Sequence, residues 1–217
     1  MKTTIKWKLA QKLERLWWKK YLKNQSPEDY KSWKTKYWNK FYDLVKDDIE
    51  LKTTDTIADL GCGPAGIFTI FNSNKVTAVD PLLDKYEQDL SVFNKTQFTN
   101  TQFVTSTIEQ FNPQNQFNLV CCLNAINHVS DISASFKKLN TIVAPDGFCL
   151  LSIDAHNHKF LKHLFRAIPG DALHPHQYDL AEYEQMLTNV GFKIIKSHLY
   201  KSHPIFNYYI LLAQKKG

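Results

Sequence analysis

A glycine-rich segment, residues 56–66, has the residue types and spacing of a ligand-binding turn. It reads T-I-A-D-L-G-C-G-P-A-G, so an apolar stretch leads into Gly61, Gly63 and Gly66 and then into the apolar run Ile67–Phe71. This order predicts a buried strand, a tight turn and the start of a helix. Glycine permits backbone angles that side chains forbid, and it lets a ligand approach the main chain. The helix start would offer free N–H groups to a polar ligand.

A carboxylate follows at the end of the next predicted strand. The segment Val76–Asp80 reads V-T-A-V-D and places Asp80 seventeen residues after Gly63. In an α/β sheet the carboxyl end of such a strand faces the ligand crevice, where a carboxylate can accept hydrogen bonds from both hydroxyls of a ribose. The turn and Asp80 are therefore expected to act on the same ligand.

The pattern D-L-G-C-G-P-A-G resembles the first motif of the class I S-adenosylmethionine-dependent methyltransferases. Asp59, two residues before Gly61, distinguishes it from nicotinamide-binding folds, which usually have an apolar residue there. The family often has a third glycine where this chain has Ala65, and Gly66 is expected to serve instead. The resemblance implies S-adenosyl-L-methionine as the cofactor. The cofactor-binding residues that it implies are Asp59, Gly61, Cys62, Gly63, Gly66, Asp80, Pro81, Thr107, Ile108, Glu109 and Asn124.

Two later segments resemble the family but depart from its pattern. In Phe103–Phe111 the family brings an acid and a small residue to the adenine ring, whereas here Thr107 stands where aspartate is frequent and Ile108 follows. Ile108 is expected either to contact the ring or to fill the core. After the predicted strand Phe117–Leu123, Asn124 and His128 should point into the crevice near the transferable methyl group. His128 could act as a base for an oxygen or nitrogen nucleophile, or bond locally at a helix start.

Five of the eight histidines lie in residues 155–179. No cysteine lies near them and no clean pair falls on one helix face, so a metal site is not expected. The segment H-P-H-Q-Y, followed by a helix and Gly191-Phe192, resembles the loop that borders the acceptor site in ubiquinone-pathway O-methyltransferases. The resemblance makes His174 and His176 candidate catalytic residues beside His128. A purely structural role of this loop is the alternative.

The order of the predicted elements indicates an α/β fold. We expect a Rossmann-like, doubly wound, mostly parallel sheet that ends in an antiparallel C-terminal hairpin, with an N-terminal two-helix cap. The hairpin follows because two successive strands with a short connection must be antiparallel. Residues 1–50 are assigned to the cap and residues 51–217 to the methyltransferase domain that the resemblance implies. The other predicted elements are helices at Leu82–Lys95, Ser133–Val143 and Leu180–Val190 and strands at Phe148–Ile153, Phe192–Tyr200 and Phe206–Gln214.

The N-terminal segment is strongly basic. Residues 1–46 hold 13 Lys/Arg and 4 Asp/Glu, whereas the rest of the chain holds 14 and 17. The second helix has a clear start, with Ser26 as N-cap and Pro27 in the first turn. Apolar stripes at helical spacing are expected to pack the cap onto the sheet. Alternatively, the cap closes the site as a lid, as N-terminal helices do in many enzymes that this chain resembles, and Tyr37 or Trp38 then contacts the ligand. The stripes are Ile5, Leu9, Leu13, Leu16 and Trp17 in the first helix and Tyr30, Trp33, Tyr37, Phe41 and Leu44, with Trp38 and Tyr42 beside them, in the second.

The basic first helix leaves two further partners open. Lysines opposite Trp7, Trp17 and Trp18 are typical of a helix that lies in a membrane interface. The lysines could instead follow a nucleic-acid backbone, but a charge run is usually a solvated face, so nucleic-acid contact is not expected. The four cysteines lack a C-x-x-C pair, which indicates reduced thiols. Neither a membrane span nor a signal-peptide core is present, and a cytoplasmic location is expected. The oligomeric state stays open.

The sequence therefore predicts an S-adenosylmethionine-dependent methyltransferase that transfers a methyl group in line to an oxygen or nitrogen atom of a small-molecule acceptor. A nicotinamide-dependent oxidoreductase and a non-catalytic S-adenosylmethionine-binding or interaction subunit remain as alternatives, and an RNA or membrane-lipid methyltransferase is less favoured. The sequence does not determine the acceptor, because fold does not fix function.

Overall fold

The chain is described by a computed structural model over residues 5–158, 176 and 178–217, with side chains from Leu9 onward. Five α-helices and seven β-strands are found in these residues. The helices are α1 (Ile5–Leu22), α2 (Pro27–Tyr42), α3 (Leu83–Asp89), α4 (Ile132–Ile142) and α5 (Leu180–Asn189). The strands are β1 (Thr56–Leu60), β2 (Lys75–Val79), β3 (Thr101–Val104), β4 (Phe117–Leu123), β5 (Val143–His156), β6 (Phe192–Lys201) and β7 (Phe206–Lys215).

All seven strands join one sheet in the order β3-β2-β1-β4-β5-β7-β6. The first five strands of the chain pair in parallel, whereas β7 runs antiparallel to both β5 and β6. This arrangement confirms the predicted mostly parallel sheet and its antiparallel C-terminal hairpin. Because β7 lies between β5 and β6, the last strand of the chain is an interior strand, and its Ile210–Ala213 segment is fully buried.

Each face of the sheet carries its own apolar cluster. On one face, α4 and α5 contribute Phe136, Leu139, Tyr183 and Leu187. On the other face, α2 and α3 contribute side chains such as Phe41 and Tyr86 to a second cluster. Helices therefore cover both faces, as the doubly wound prediction requires. The cap shares its cluster with the sheet, and the division of the chain at residue 50 stays a prediction.

The prediction of a helix directly after the glycine-rich turn is wrong. A single 3-10 turn, Ile67–Ile70, stands in its place, because only residues 61–74 connect β1 to β2. Helix α2 covers this part of the sheet instead. The Trp38 indole N–H donates to the Ala65 carbonyl over 2.8 Å, and Tyr42 packs edge-on against Phe71 at 5.2 Å between ring centres.

The helix predicted at Leu82–Lys95 is present but shorter than expected. Helix α3 ends at Asp89, and the Asn94 side chain accepts from the Thr96 N–H over 2.9 Å to begin a separate 3-10 turn at Lys95–Gln97. The side-chain cap therefore competes with continuation of the helix. The bounds of β4 are as expected, and α4, α5, β6 and β7 shift by at most one residue at either end. The strand predicted at Phe148–Ile153 is too short, because β5 runs from Val143 to His156.

The apolar stripe of α1 does not pack on the sheet as predicted. Leu9, Leu13, Leu16 and Trp17 are 49%, 41%, 52% and 54% exposed, respectively. The inner side of α1 is held by polar contacts to α3, in which the Tyr86 hydroxyl donates to Glu14 over 3.0 Å and Arg15 pairs with Asp89. The α2 stripe packs inward only in part, since Tyr30 and Phe41 are buried together with the neighbouring Trp38, whereas Trp33 is 50% exposed. Ser26 caps α2 as expected.

Candidate active site

The glycine-rich turn leaves β1 at the carboxyl edge of the sheet. Gly61 and Gly63 have φ angles of +66° and +57°, in the left-handed region that favours glycine. The Gly61 N–H donates to the Val79 carbonyl over 2.7 Å, which ties the turn to β2. A Cβ atom at Gly61 would overlap that of Ala125 in the loop after β4. The turn therefore holds a shape and a closeness to β4 that require glycine at position 61.

Asp80 lies directly after β2, beside this turn, and is buried. One carboxylate oxygen accepts from the Gly63 N–H over 3.0 Å and the other from the Leu82 N–H over 2.8 Å. Burial, followed by the nearby charge of Glu14, raises the pKa of Asp80 to about 7. Each oxygen has a second lone pair, so the group can accept further hydrogen bonds from a ligand.

Asp59 lies behind the turn. Its buried carboxylate accepts from the Phe68 N–H over 3.0 Å, and burial raises its pKa to about 7 against the opposing effect of its backbone hydrogen bonds. A Cβ atom at Gly66 would overlap Asp59 Oδ2 and come within 2.6 Å of the Cys62 carbonyl oxygen. Asp59 and Gly66 thus fit together to hold the 3-10 turn. Asp59, Gly66, Cys62 and Gly63 do not line the pocket described next, and their assignment as cofactor ligands stays a prediction.

A small pocket with a cavity volume of about 70 Å³ opens at this edge of the sheet. Seven of the predicted cofactor-binding residues and one predicted catalytic residue do line it. The lining consists of Gln11, Glu14, Gly61, Asp80, Pro81, Thr107, Ile108, Glu109, Asn124, Ala125, His128 and Val129. The structure therefore brings together residues from five separate segments of the chain.

The loop after β3 forms one wall of this pocket. Ile108 is buried there, while the Thr107 hydroxyl accepts from the Gln110 N–H over 3.2 Å. Glu109 binds the opposite wall, because one of its oxygens accepts from the Ser130 N–H over 2.9 Å and from the Asp131 N–H over 3.1 Å. Burial alone would raise the pKa of Glu109, but these hydrogen bonds hold it below its ordinary value. Glu109 therefore ties the two walls together.

The loop after β4 forms the other wall. Asn124 has a φ of +55°, and its N–H donates to the Ser152 hydroxyl over 2.9 Å. His128 ends a short 3-10 turn and lines the pocket. His176 approaches the same loop, with its Nε2–H donating to the Val129 carbonyl over 2.8 Å, and burial lowers its pKa. His174 lies outside the described residues, so its candidacy stays a prediction.

The family model for a methyltransferase domain matches residues 8–197 of this sequence. The chain belongs to this methyltransferase family. The match includes most of α1 and all of α2 together with the sheet as far as β6.

Curated relatives of this methyltransferase-family chain include enzymes of two kinds. An (S)-tetrahydroprotoberberine N-methyltransferase of Eschscholzia californica is 25% identical over 134 residues, which are 60% of this chain and 38% of that protein. A ubiquinone biosynthesis O-methyltransferase of Rickettsia felis is 30% identical over 98 residues, which are 44% of this chain and 40% of that protein. The chain thus spans about two fifths of the length of these relatives.

Solved structures share the methyltransferase fold. Magnesium protoporphyrin IX methyltransferase from Synechocystis, solved with bound S-adenosylhomocysteine, superposes with a TM-score of 0.58 at 19% identity and covers 84% of this chain and 83% of its own. The YcgJ protein of Bacillus subtilis reaches a TM-score of 0.63 at 16% identity, over 80% of this chain and 97% of its own. At these identities the likeness shows the fold.

Two pocket residues of this methyltransferase domain, Gln11 and Glu14 on α1, escape sequence reasoning. Glu14 is the only acid among the 18 residues of α1, and a lone acid in a basic helix is the signal that points to it. Burial raises the pKa of Glu14, opposed by hydrogen bonds from Tyr86 and Trp18. The buried carbonyl oxygen of Gln11 has no partner among the described residues. A ligand with a hydrogen-bond donor would fit the side of the pocket that Gln11 lines.

Proposed function

We propose that this chain is an S-adenosylmethionine-dependent methyltransferase that transfers a methyl group to an oxygen or nitrogen atom of a small-molecule acceptor. The observation that carries the proposal is the pocket in which the Asp80 carboxylate and the Gly61 backbone face the apolar side chain of Ile108. Family membership supports the same activity, and so do the relatives, which are named as O- and N-methyltransferases.

The pocket residues divide the work of binding the nucleoside. Asp80 would accept hydrogen bonds from the ribose hydroxyls through the lone pairs that Gly63 and Leu82 leave unused. Ile108 would offer an apolar surface to the adenine ring, and the Gln11 carbonyl oxygen would accept from its amino group. The cofactor supplies an activated methyl group on sulfur, so the protein contributes binding and alignment. Alignment alone can supply on the order of 7–11 kcal/mol in the best model reactions.

Hydroxyl groups beside Asn124 support an acceptor site on the far side of the glycine-rich turn. The Tyr208 hydroxyl donates to Ser152 over 2.7 Å, and the Tyr37 side chain lies near Tyr208 and Asn124. Burial raises the pKa of both tyrosines, so both hydroxyl groups stay protonated at neutral pH.

Two described histidines remain candidates for accepting a proton. His128 lines the pocket, and His176 could accept at Nδ1 only, since its Nε2–H is bonded to Val129. A base is needed only when the acceptor atom carries a proton at neutral pH.

Thermal unfolding with three ligands tests the proposed cofactor. S-adenosylmethionine and S-adenosylhomocysteine should each raise the unfolding midpoint, whereas NAD should not. A ligand at a hundred times its dissociation constant adds about 2.7 kcal/mol to the free energy of unfolding, which is roughly 5–10 °C for a chain of this size.

The other outcomes separate the alternatives. A shift with NAD alone would support a nicotinamide-dependent oxidoreductase and contradict the proposal. A shift with the two adenosyl-sulfur ligands but no turnover with any acceptor would favour the non-catalytic subunit. No shift with any of the three would reject the cofactor.

We further propose that α1 contacts an anionic membrane surface. Its exposed stripe of Leu9, Leu13, Leu16 and Trp17 is flanked by lysines on the same solvent side of the helix. Apolar residues beside lysines match the acyl boundary and the phosphate groups of an anionic lipid layer. The surplus of positive charge in residues 1–46 opposes pairing of this stripe with a second copy, and a nucleic-acid backbone offers no partner for leucines. No described helix has both the length and the apolar character needed to cross a bilayer.

Binding to lipid vesicles tests this contact. The protein should sediment with vesicles that contain phosphatidylglycerol and much less with vesicles of phosphatidylcholine alone. The double substitution L13E/L16E should weaken binding roughly tenfold or more, since it replaces the apolar groups that would enter the lipid. The matched control is I195E/L199E, which changes two exposed apolar residues on β6. Equal binding by both double variants, or self-association through α1, would contradict the proposal.

A further inference from the structure

Lys34 on α2 is a partly buried cation among aromatic rings. Its Nζ atom lies 5.3 Å from the ring centre of Trp33, 5.4 Å from that of Tyr37 and 5.2 Å from that of Trp38. Cation–π contacts of this kind stabilise a charged amine away from bulk water. The three rings therefore hold the Lys34 ammonium in place.

Helix α2, which carries Lys34, packs against the glycine-rich turn. The Trp38 indole bonds the Ala65 carbonyl within the turn, so the residues just before Trp38 lie beside it. Burial lowers the pKa of Lys34 to about 8, partly offset by the negative charge of Asp59 behind the same turn. Lys34 is consequently mostly protonated at neutral pH.

The Lys34 charge has no carboxylate partner among the described residues. Within the parts of the chain that the structure describes, no carboxylate oxygen forms a salt bridge with its Nζ within 4.0 Å. Asp59, whose negative charge influences Lys34, accepts its hydrogen bonds from the backbone of the 3-10 turn. A partly desolvated cation without an anionic partner is costly, and an anionic ligand group would offset that cost.

The order of groups along the sheet edge indicates which part of a ligand would reach Lys34. Ile108 and Asp80 lie on the β3 and β2 side of the glycine-rich turn, where the adenine ring and ribose are proposed to bind. Tyr37, three residues after Lys34 on the same helix face, reaches Asn124 in the loop after β4 and Tyr208 of β7 on the other side of the turn. Lys34 therefore lies where a cofactor extends beyond its ribose across the turn.

We propose that Lys34 binds the carboxylate of the amino-acid part of S-adenosylmethionine. The aromatic rings orient the ammonium toward the turn, and the bound carboxylate completes its neutralisation. This inference rests on the proposed function, because it assigns one group of the proposed cofactor to one side chain.

The test compares ligands with and without that carboxylate. Isothermal titration would measure the dissociation constants of S-adenosylmethionine, S-adenosylhomocysteine and decarboxylated S-adenosylmethionine for the wild-type protein and for Lys34→Met. The substitution should weaken the two carboxylate-bearing ligands about 10–100-fold, the usual range for a hydrogen bond to a charged group. It should change the affinity for the decarboxylated ligand less than about threefold, and Lys34→Arg should retain most of the preference for the carboxylate.

Lys31→Met is the matched control. Lys31 is on the same helix and also packs over a ring, with its Nζ 5.2 Å from the centre of Phe98, but it is exposed. Its loss should leave all three affinities unchanged.

The outcomes are distinct for the two levels of the proposal. An equal loss of affinity for all three ligands in Lys34→Met would show that Lys34 only shapes the site. No loss of affinity for any of them would place Lys34 outside the site. Both results overturn the inference, while the proposed function stands. Failure of the wild-type protein to bind any of the three would reject the proposed function itself. If Lys34→Met does not fold, Lys34→Gln provides a second neutral variant for the same comparison.

Discussion

Replacing Asp80 by asparagine should weaken S-adenosylhomocysteine binding by about 100-fold or more. Asp80 presents two charged oxygens at the end of β2, and both already organise the main chain through Gly63 and Leu82. Asparagine loses the charge and turns an N–H donor toward one of these backbone donors. Because hydrogen bonds to charged groups contribute about 1.5–3 kcal/mol each, the loss of two such bonds to a ribose gives this magnitude. Isothermal titration would measure the change.

Asp84→Asn is the control for this substitution. Asp84 lies four residues further on in α3, where its exposed carboxylate pairs with Lys95. Asp84 does not line the pocket, so cofactor affinity should not change. Surface pairs of this kind also contribute little to stability. Wild-type affinity in Asp80→Asn, with the fold retained, would reject Asp80 as a cofactor ligand.

The same substitution has an independent readout in the pH dependence of stability. The pKa of Asp80 in the folded protein, about 7, is above its ordinary value of 3.8, so the folded state binds a proton that the unfolded chain releases. The stability that this proton contributes is fully present below pH 3.8 and is lost as the pH rises through 7. Asp80→Asn should therefore lose less stability than the wild-type protein between pH 4 and pH 8 in urea unfolding of the unliganded protein.

Replacing Gly61 by alanine should destabilise the protein by about 2–4 kcal/mol. The left-handed φ of +66° costs roughly 1–2 kcal/mol for a residue with a side chain. The added Cβ atom would also overlap that of Ala125, and this overlap supplies the rest. The unfolding midpoint should fall by roughly 5–15 °C in a chain of this size.

A second substitution separates the two causes. In the double variant G61A/A125G the overlapping Cβ of Ala125 is removed, so only the backbone strain of roughly 1–2 kcal/mol should remain. Ala125→Gly alone serves as the control and should cost about 1 kcal/mol or less. If the double variant were as unstable as Gly61→Ala, the overlap with Ala125 could not be the cause. Denaturant unfolding of the four proteins at one temperature measures each difference.

Local patterns account for much of the fold that sequence reasoning predicted. The run F-N-L-V-C-C-L is apolar on both sides, as a strand buried on both faces of a parallel sheet must be, and β4 has the predicted bounds. The hairpin of β6 and β7 followed from a short connection alone. The predicted helices were too long where the Asn94 cap begins a separate turn and where the connection between β1 and β2 is short.

The sequence predicted the residues of the candidate site only where they follow neighbouring strands. Gly61 and Asp80 could be paired from sequence because they follow adjacent strands, whose carboxyl ends meet at one edge. Gln11, Glu14 and Lys34 could not be added to them, because helical periodicity states which residues share a face but not which face turns inward. In α1 the leucine-rich face points to solvent and the face that carries Glu14 covers the pocket.

The sequence by itself determined the methyltransferase family, the alternation of strands and helices, and the glycine-rich turn with Asp80. Each of these rests on contacts between residues near one another along the chain or on a sequence pattern that few backbone conformations accept. Only the tertiary structure decided that α2 replaces the missing helix after the turn, that α1 closes the pocket with its polar side, and that Lys34 stands beside the glycine-rich turn. These three features depend on how segments far apart in sequence pack together, and packing is decided by the fit of whole surfaces rather than by any local pattern.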